Sequence, residues 1–301
     1  MIYAIGETVY DIIFRDGTPV AARPGGSKLN SAVSLGRCGL DVEMITEIGD
    51  DTIGRLVINF LKDNGISTSF IHPAKGCKTP VSLAFLDENG NASYTFYKQY
   101  PARRLEVEWP VAGKGDIVLF GSFYCLDPAV RLKLIPFLQQ AKDNGAFIVY
   151  DPNIRKNHLA EVRKMIRQVV ENIALSGIVR GSDEDFLNLF GTHDTEKIFK
   201  KISSSGCNHL IITKGSDGAE FMSAGCHFSM PSVKISVVST IGAGDAFNAG
   251  IIFGIVKKGI NVDYLVNITE EDWTGILDYG INFAANVCSG YDNYVSEGFV
   301  K

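Results

Sequence analysis

A doubly wound α/β core carrying a small β-sheet lid is the fold predicted by this 301-residue sequence, and three observations predict it. Short, almost wholly apolar runs alternate with stretches of helical periodicity, as expected of parallel strands buried on both faces between helices. Glycine-rich turns follow those runs, at the place where open α/β sheets bind ligands. Two segments, about 9–22 and 79–98, break the rhythm with β-rich runs around turn signals. No linker, repeat or low-complexity stretch divides the chain, so residues 1–301 read as one domain, with the lid built from those two segments.

The elements follow in order. IYAIG (2–6) reads as the first strand, and VYDIIFRDGTPVAA (9–22) as a hairpin turning at RDGTP. LNSAVSLGRCGL (29–40) reads as a helix ending near Gly39, and VEMITEIG (42–49) as a strand. DTIGRLVINFLKDNG (51–65) repeats apolar residues at helical spacing and stops at Gly65. TPVSLAFLDENGNASYTFYK (79–98) reads as a hairpin turning at DENGN. DIVLFGS (116–122), AFIVYD (146–151), IVRGS (178–182) and HLIIT (209–213) read as buried strands between helices. DAFNAGIIFGIVKKG (245–259) reads as a buried helix with Lys257 and Lys258 in its last turn, where cations favour the helix dipole.

Composition excludes several classes. Hydrophobic residues make up 46% and charged residues 21%, with a net charge of −5 and no basic block, which argues against nucleic-acid binding. The six cysteines form no C-x-x-C pair and no zinc spacing, so reduced thiols are expected. The N-terminus lacks a signal-peptide pattern, and no apolar run approaches the ~18 residues of a membrane span. A cytoplasmic protein that binds neither nucleic acid nor membrane is the expectation.

Four strings share one grammar, a strand followed by a glycine or polar turn: GETVYD (6–11), DPNIR (151–155), ITKGSDG (212–218) and STIGAGDAF (239–247). PGGSKLN (24–30) adds two glycines before a helix that opens near Asn30. STIGAGDAF lacks the last glycine of a dinucleotide loop, and no Walker A loop is present. Alone it reads first as an Asp N-cap with a glycine turn. As a glycine-rich entry into a helix it also suits a phosphate or a developing anion, with Asp245 beside it.

Taken together and in order, GGSKLNSAVSLGRCGL, EIGDDTIGRLVINFLKDNGIST, DPNIR, ITKGSDG and STIGAGDAFNAG resemble the ribokinase-like, or PfkB-type, carbohydrate kinases over essentially the whole chain, in their fructokinase-like branch. The resemblance implies a ribokinase-like three-layer sandwich with a β-lid. It implies transfer of the ATP γ-phosphoryl group to a sugar hydroxyl, with Mg²⁺. It places Asp245 as catalytic base and Gly242, Ala243 and Gly244 as an anion hole. Asp11, Gly25, Gly26 and Asn30 match sugar-binding positions, Thr213, Gly215 and Gly218 a nucleotide loop, and Asn286 the helix bordering adenine. A late proton acceptor and fixed amide dipoles suit phosphoryl transfer, which depends on positioning and charge stabilisation.

The chain departs from the family pattern at three places. Ser239 replaces an acid that helps hold a monovalent cation, leaving K⁺ dependence open. Asp185 stands in SDED (182–185) for a glutamate that serves the metal's water shell. Lys28 stands where a small residue is common and is read as solvent-facing. FYK (96–98) and DPNIR lean toward fructokinase-like and 2-keto-3-deoxygluconate kinase members. Lys98 and Arg155 are thus candidate substrate contacts, suited to a carboxylate or phosphate. Lys98 facing the sugar would admit a sugar acid, and facing water would leave a neutral ketohexose. Fructose is the favoured acceptor. A sugar acid and, behind it, a nucleoside are alternatives, and a non-catalytic sugar sensor is the alternative of another class. Edge strands of the lid can pair with a second lid, which leaves a homodimer open.

Overall fold

The computed structural model describes residues 1–86, 92–154, 159–266 and 268–300. Its centre is a ten-stranded sheet. β1 (Ile2–Ile5) lies in the middle, between β4 (Val42–Gly49) and β9 (Ile117–Gly121), and is parallel to both. Beyond β9 follow β10 (Phe147–Asp151), β11 (Ile178–Ser182) and β12 (His209–Thr213), all parallel. β13 (Ala219–Ser223) and β14 (His227–Met230) close that side antiparallel. On the other side, β5 (Ile66–Ser67) and β6 (Ile71–Ala74) both pair with β4.

The apolar strands alternate strictly between two cores, as the period-two geometry of a strand requires. Ile2, Ala4, Ile117, Leu119, Phe147 and Val149 enter one layer. Tyr3, Ile5, Val118, Phe120, Ile148 and Tyr150 enter the other. The first layer is covered by α1 (Ser27–Arg37), α2 (Thr52–Asp63), α8 (Ala243–Lys257) and α9 (Glu270–Cys288). The second is covered by α3 (Pro128–Asp143), the short α4 (Leu159–Val162), α5 (Ile166–Leu175), α6 (Asp183–Phe190) and α7 (Thr195–Ser204). The predicted α/β architecture is thus present, with helices on both faces. α8 is apolar all round and buried continuously from Asp245 to Ile255, as a helix wedged between sheet and neighbours must be. Among the described residues, no helix is long and apolar enough to cross a membrane.

A second sheet of four strands carries the order β3-β2-β7-β8, from β2 (Val9–Arg15), β3 (Thr18–Gly25), β7 (Val81–Leu86) and β8 (Ala92–Tyr97). β2–β3 and β7–β8 are antiparallel, whereas β2 and β7 run parallel and join the two pairs. Asp16 (φ 51°) and Gly17 (φ 72°) make the β2–β3 turn, the left-handed pair that matches the twist of a tight hairpin. The expected DENGN turn spans 87–91, outside the described residues.

Element ends differ in two places that matter. α1 begins at Ser27, with Gly26 as its cap, rather than near Asn30. Ser27 and Lys28 carry no apolar signal, so periodicity starts the helix too late. α8 begins at Ala243, capped by Gly242 in the left-handed region (φ 82°), so Asp245 lies in the first turn and is not the N-cap.

Candidate active site

The site gathers at the carboxyl ends of the central parallel strands. Asp151 ends β10, Ser182 ends β11 and Thr213 ends β12, while Gly6 follows β1 directly. This is the edge where the βα turns of an open sheet leave room for ligands. The N-termini of α1 and α8 meet there.

Asp245 is the junction between them. Its Oδ1 accepts the Ser27 hydroxyl at 2.6 Å, and its Oδ2 accepts Asn30 Nδ2 at 2.8 Å. The Ser31 hydroxyl donates to its backbone carbonyl at 2.8 Å. Burial pushes the Asp245 carboxyl above the ordinary aspartate range, and the Lys28 charge with the Ser27 and Asn30 hydrogen bonds pulls part of the way back. Asn30 Oδ1 is buried and has no protein partner. One end of that amide therefore grips Asp245 while the other is an acceptor with no protein partner.

The glycines before Asp245 form the helix start. The i→i−4 ladder opens with Ala246 N to Gly242 O at 2.8 Å, and Ala243 N leans back to Thr240 O at 3.3 Å. The N–H groups of Gly244 and Asp245 lie outside the ladder, where the helix dipole adds positive potential.

Asp11 sits half-buried on β2. The Ser82 hydroxyl of the adjacent β7 donates to it at 2.5 Å, and burial raises its carboxyl above the ordinary range. Gly25 brings it to α1, since a Cβ on Gly25 would stand 2.1 Å from Asp11 Oδ2. Gly26 is the cap of α1. A cavity of about 280 Å³ opens here, walled by Asp11, Ile13, Arg23 and Tyr94 on the small sheet and by Ser239, Ile241 and Tyr291 opposite. Ser239 and Ile241 belong to the loop that leads into Asp245.

The remaining predicted positions fall into three groups. Thr213, Gly215 and Gly218 form a closed turn after β12, with Lys214 N bonded to Gly218 O at 2.8 Å. Arg180 Nη2 donates to Thr213 Oγ1 at 2.7 Å, which ties this turn to the strand ends beside Asp151. Asn286 lies on α9, and its side chain binds Ser296 through both amide ends, at 3.2 Å and 2.9 Å. Lys98 Nζ pairs with Glu7 at 2.7 Å and lies 4.7 Å from the centre of the Phe96 ring, so its charge is already matched within the protein. Arg155 lies outside the described residues.

Asp185 completes a capping box on α6. Its Oδ2 accepts Ser182 N and Oγ, both at 2.7 Å, and its Oδ1 accepts Ile154 N at 2.6 Å. Oδ2 is saturated and Oδ1 keeps one lone pair, room for a single further contact such as a metal-bound water. Among the described residues, no three His, Cys, Asp or Glu side chains cluster as a metal site.

Lys28 is a correction to the sequence reading. It does not face solvent; it is 1% exposed and donates to Asp151 Oδ2 at 2.7 Å. Lys28, Asp151, Arg180 and Asn248, all buried, and the half-buried Ser27 form the polar network around Asp245; the sequence marks Asp151 only within DPNIR and gives none of the five a site role. Lys28 and Asp151 are 123 residues apart, so no local pattern links them. The capping box at Asp185 did have a signal, the S-x-x-D spacing itself.

A family model described as pfkB family carbohydrate kinase matches residues 1–294. A fructokinase of Rhizobium leguminosarum bv. trifolii is 31% identical over 262 residues, covering 84% of this chain and 78% of that protein. The crystal structure of aminoimidazole riboside kinase from Salmonella enterica, with aminoimidazole riboside and an ATP analogue, superposes with a TM-score of 0.83 at 22% identity, covering 96% of this chain and 93% of that one. The fructokinase of Vibrio cholerae O395 with fructose, ADP and calcium gives a TM-score of 0.81 at 21% identity, covering 97% and 94%.

Proposed function

The chain belongs to the pfkB family of carbohydrate kinases, and on that premise we propose that it moves the γ-phosphoryl group of ATP to a hydroxyl of fructose, with Asp245 as the base. It is a phosphotransferase with a hydroxyl acceptor. The observation that carries the reading is the Asp245 carboxylate: buried, in the first turn of a helix, and held on both oxygens by α1.

In this reading Asp11 and the free Asn30 Oδ1 accept sugar hydroxyls and bring one of them to Asp245. Asp245 takes its proton late, as bonding to phosphorus acidifies the hydroxyl. The outward N–H groups at Gly244 and Asp245, with Gly242 and Ala243 shaping the turn, steady the phosphoryl oxygens. ATP lies along the 213–218 turn toward α9, where Asn286 borders the base. Mg²⁺ would arrive with the phosphates, hydrated, with Asp185 Oδ1 behind one of its waters. The metal supplies charge neutralisation on the phosphates. Lys98, paired with Glu7, is not spare to receive a carboxylate, which supports a neutral sugar over a sugar acid.

A second reading has one specific observation in its favour. The cavity beside Asp11 is walled largely by apolar groups, including Tyr94 and Tyr291. Such walls suit a riboside whose second ring packs against aromatic faces, and an aminoimidazole riboside kinase of Salmonella typhimurium is 26% identical to this chain over 259 residues.

A turnover panel tests both. With ATP and Mg²⁺, with and without K⁺, fructose is expected to give the highest kcat/KM among fructose, 2-keto-3-deoxygluconate and aminoimidazole riboside. A higher value for the riboside replaces fructose with the second reading. Asp245→Ala is expected to lower kcat by about 10²–10⁴-fold, with sugar binding largely kept; near-wild-type turnover removes Asp245 from the mechanism.

A further inference from the structure

Lys28 is the second residue of α1, and its side chain is 0% exposed. Burying an ammonium ion is strongly unfavourable unless acceptors surround it. Its stem crosses the end of β1 over Gly6, where a Cβ would stand 2.7 Å from Lys28 Cγ. Only a residue without a side chain leaves that course open. Nζ then donates to Asp151 Oδ2 at 2.7 Å and to Ser27 Oγ at 3.1 Å. The Ser27 hydroxyl has one proton, and it goes to Asp245 Oδ1 at 2.6 Å. The result is a directed chain of donors: ammonium to hydroxyl to carboxylate. On the other side, Asp151 Oδ2 also accepts Asn248 Nδ2 at 2.8 Å, from the turn of α8 that follows Asp245.

We propose that Lys28 is a positioning residue for phosphoryl transfer, fixing the Asp245 carboxylate through the Ser27 hydroxyl and cancelling the Asp151 charge beside it. The inference rests on the reading of Asp245 as the base. Its place in the sequence, inside the glycine-rich entry to α1, makes the helix that grips Asp245 also carry the cation that keeps it ionised.

The electrostatics agree with the geometry. Burial pushes Asp245 upward, Lys28 draws it down, and Asp151 pushes it up again. Burial also pushes Asp151 upward, but Lys28 and then Arg180 hold it below the ordinary range. The groups facing this pair are Ser27, Lys28 and Asn30 from α1, Asp151 from β10, and Asn248 from α8. Arg180 from β11 stands 3.7 Å from Asp151 Oδ1. Asp185 from α6 is a negative neighbour of Asp151, and the Cys125 thiol lies near Lys28. Without the ammonium, the negative charge of Asp151 near Asp245 is opposed by Arg180 alone, and Asp245 takes up a proton at higher pH. A protonated carboxyl cannot accept the sugar's proton.

Steady-state kinetics across pH on Lys28→Met, Ser27→Ala and Lys28→Met/Asp151→Asn test the proposal, with the best sugar of the panel. Ser27→Ala keeps the buried ion pair and serves if Lys28→Met does not fold. In both single variants kcat at neutral pH is expected to fall, by up to about 10²-fold as for a small misplacement of a catalytic group. Sugar KM should change little, and the acid limb of the kcat profile should move to higher pH. The double variant should return that limb toward its original position. An unchanged acid limb in the folded single variants overturns the proposal, even if kcat falls, because a purely structural role would not move it. Asp245→Ala is measured beside them. Its normal turnover would sink the base reading itself, whereas its inactivity with wild-type Ser27→Ala and Lys28→Met sinks only the role of Lys28.

Discussion

Asp151 and Asp245 are two aspartates in one buried network, and their surroundings push them in opposite directions. Asp245 is raised chiefly by burial, so loss of kcat in acid is expected at a pH above that of an ordinary aspartate. Asp151 is lowered, because Lys28 and Arg180 outweigh its burial. A lowered folded-state pKa adds stability that is complete above the unfolded value of about 3.9. That contribution is lost as pH falls through the still lower folded value. Asp151→Ala leaves the Lys28 ammonium buried without its counter-ion and is expected to cost about 3–5 kcal/mol at neutral pH. Urea unfolding at neutral pH and below about pH 4 should show the gap to wild type shrinking in acid. At this scale the polar residues that the sequence marks next to glycine turns are brought together: Asn30 bonds Asp245, and Gly25 lets Asp11 lie against the entry to α1. The sequence misplaced Lys28 in solvent, because its partner comes from a distant strand. A charged side chain reads as solvated until the fold supplies its counter-charge.

The elements do the positioning. α1 and α8 present their N-termini to the same point, and each is entered through glycine. Gly25 matters because β3 must pass beside Asp11 on β2 with no side chain between them. Gly25→Ala would place a methyl 2.1 Å from Asp11 Oδ2. Calorimetric titration should then show sugar binding weakened about tenfold or more, the effect of losing about one charged hydrogen bond, with ATP binding nearly unchanged. An equal loss of both would assign Gly25 to folding instead. Element boundaries were the less legible part. α1 starts at Ser27 because Gly26 turns the chain there, and the polar pair Ser27–Lys28 hides that start from periodicity. The two antiparallel strand pairs of the small sheet were legible from their β-rich runs, and the first also from its turn at Asp16–Gly17. Their parallel junction, β2 against β7, was not, because the pairing joins strands more than sixty residues apart.

For the whole molecule, the central sheet is buried on both faces and the small sheet is not. Tyr94, Phe96 and Tyr97 on β8 are all exposed, whereas β1, β9 and β10 are buried throughout. Amide hydrogen exchange should therefore be faster in β2, β3, β7 and β8 than in β1, β9 and β10, since burial sets local opening free energy. Added sugar should slow exchange in β2 and β3 if the cavity beside Asp11 is the sugar site. By itself the sequence determined the α/β class, the order of the main strands and helices and the family. Each of these is written in local features: apolar periodicity, glycine turns and the order of short motifs. Only the tertiary structure decided which charges are buried, that Lys28 and Asp151 face each other, that Lys98 is held by Glu7 and that Asp185 also accepts from Ile154. Those are long-range pairings or competing uses of one side chain. They are settled by which groups the folded chain removes from water and which partners it offers in return.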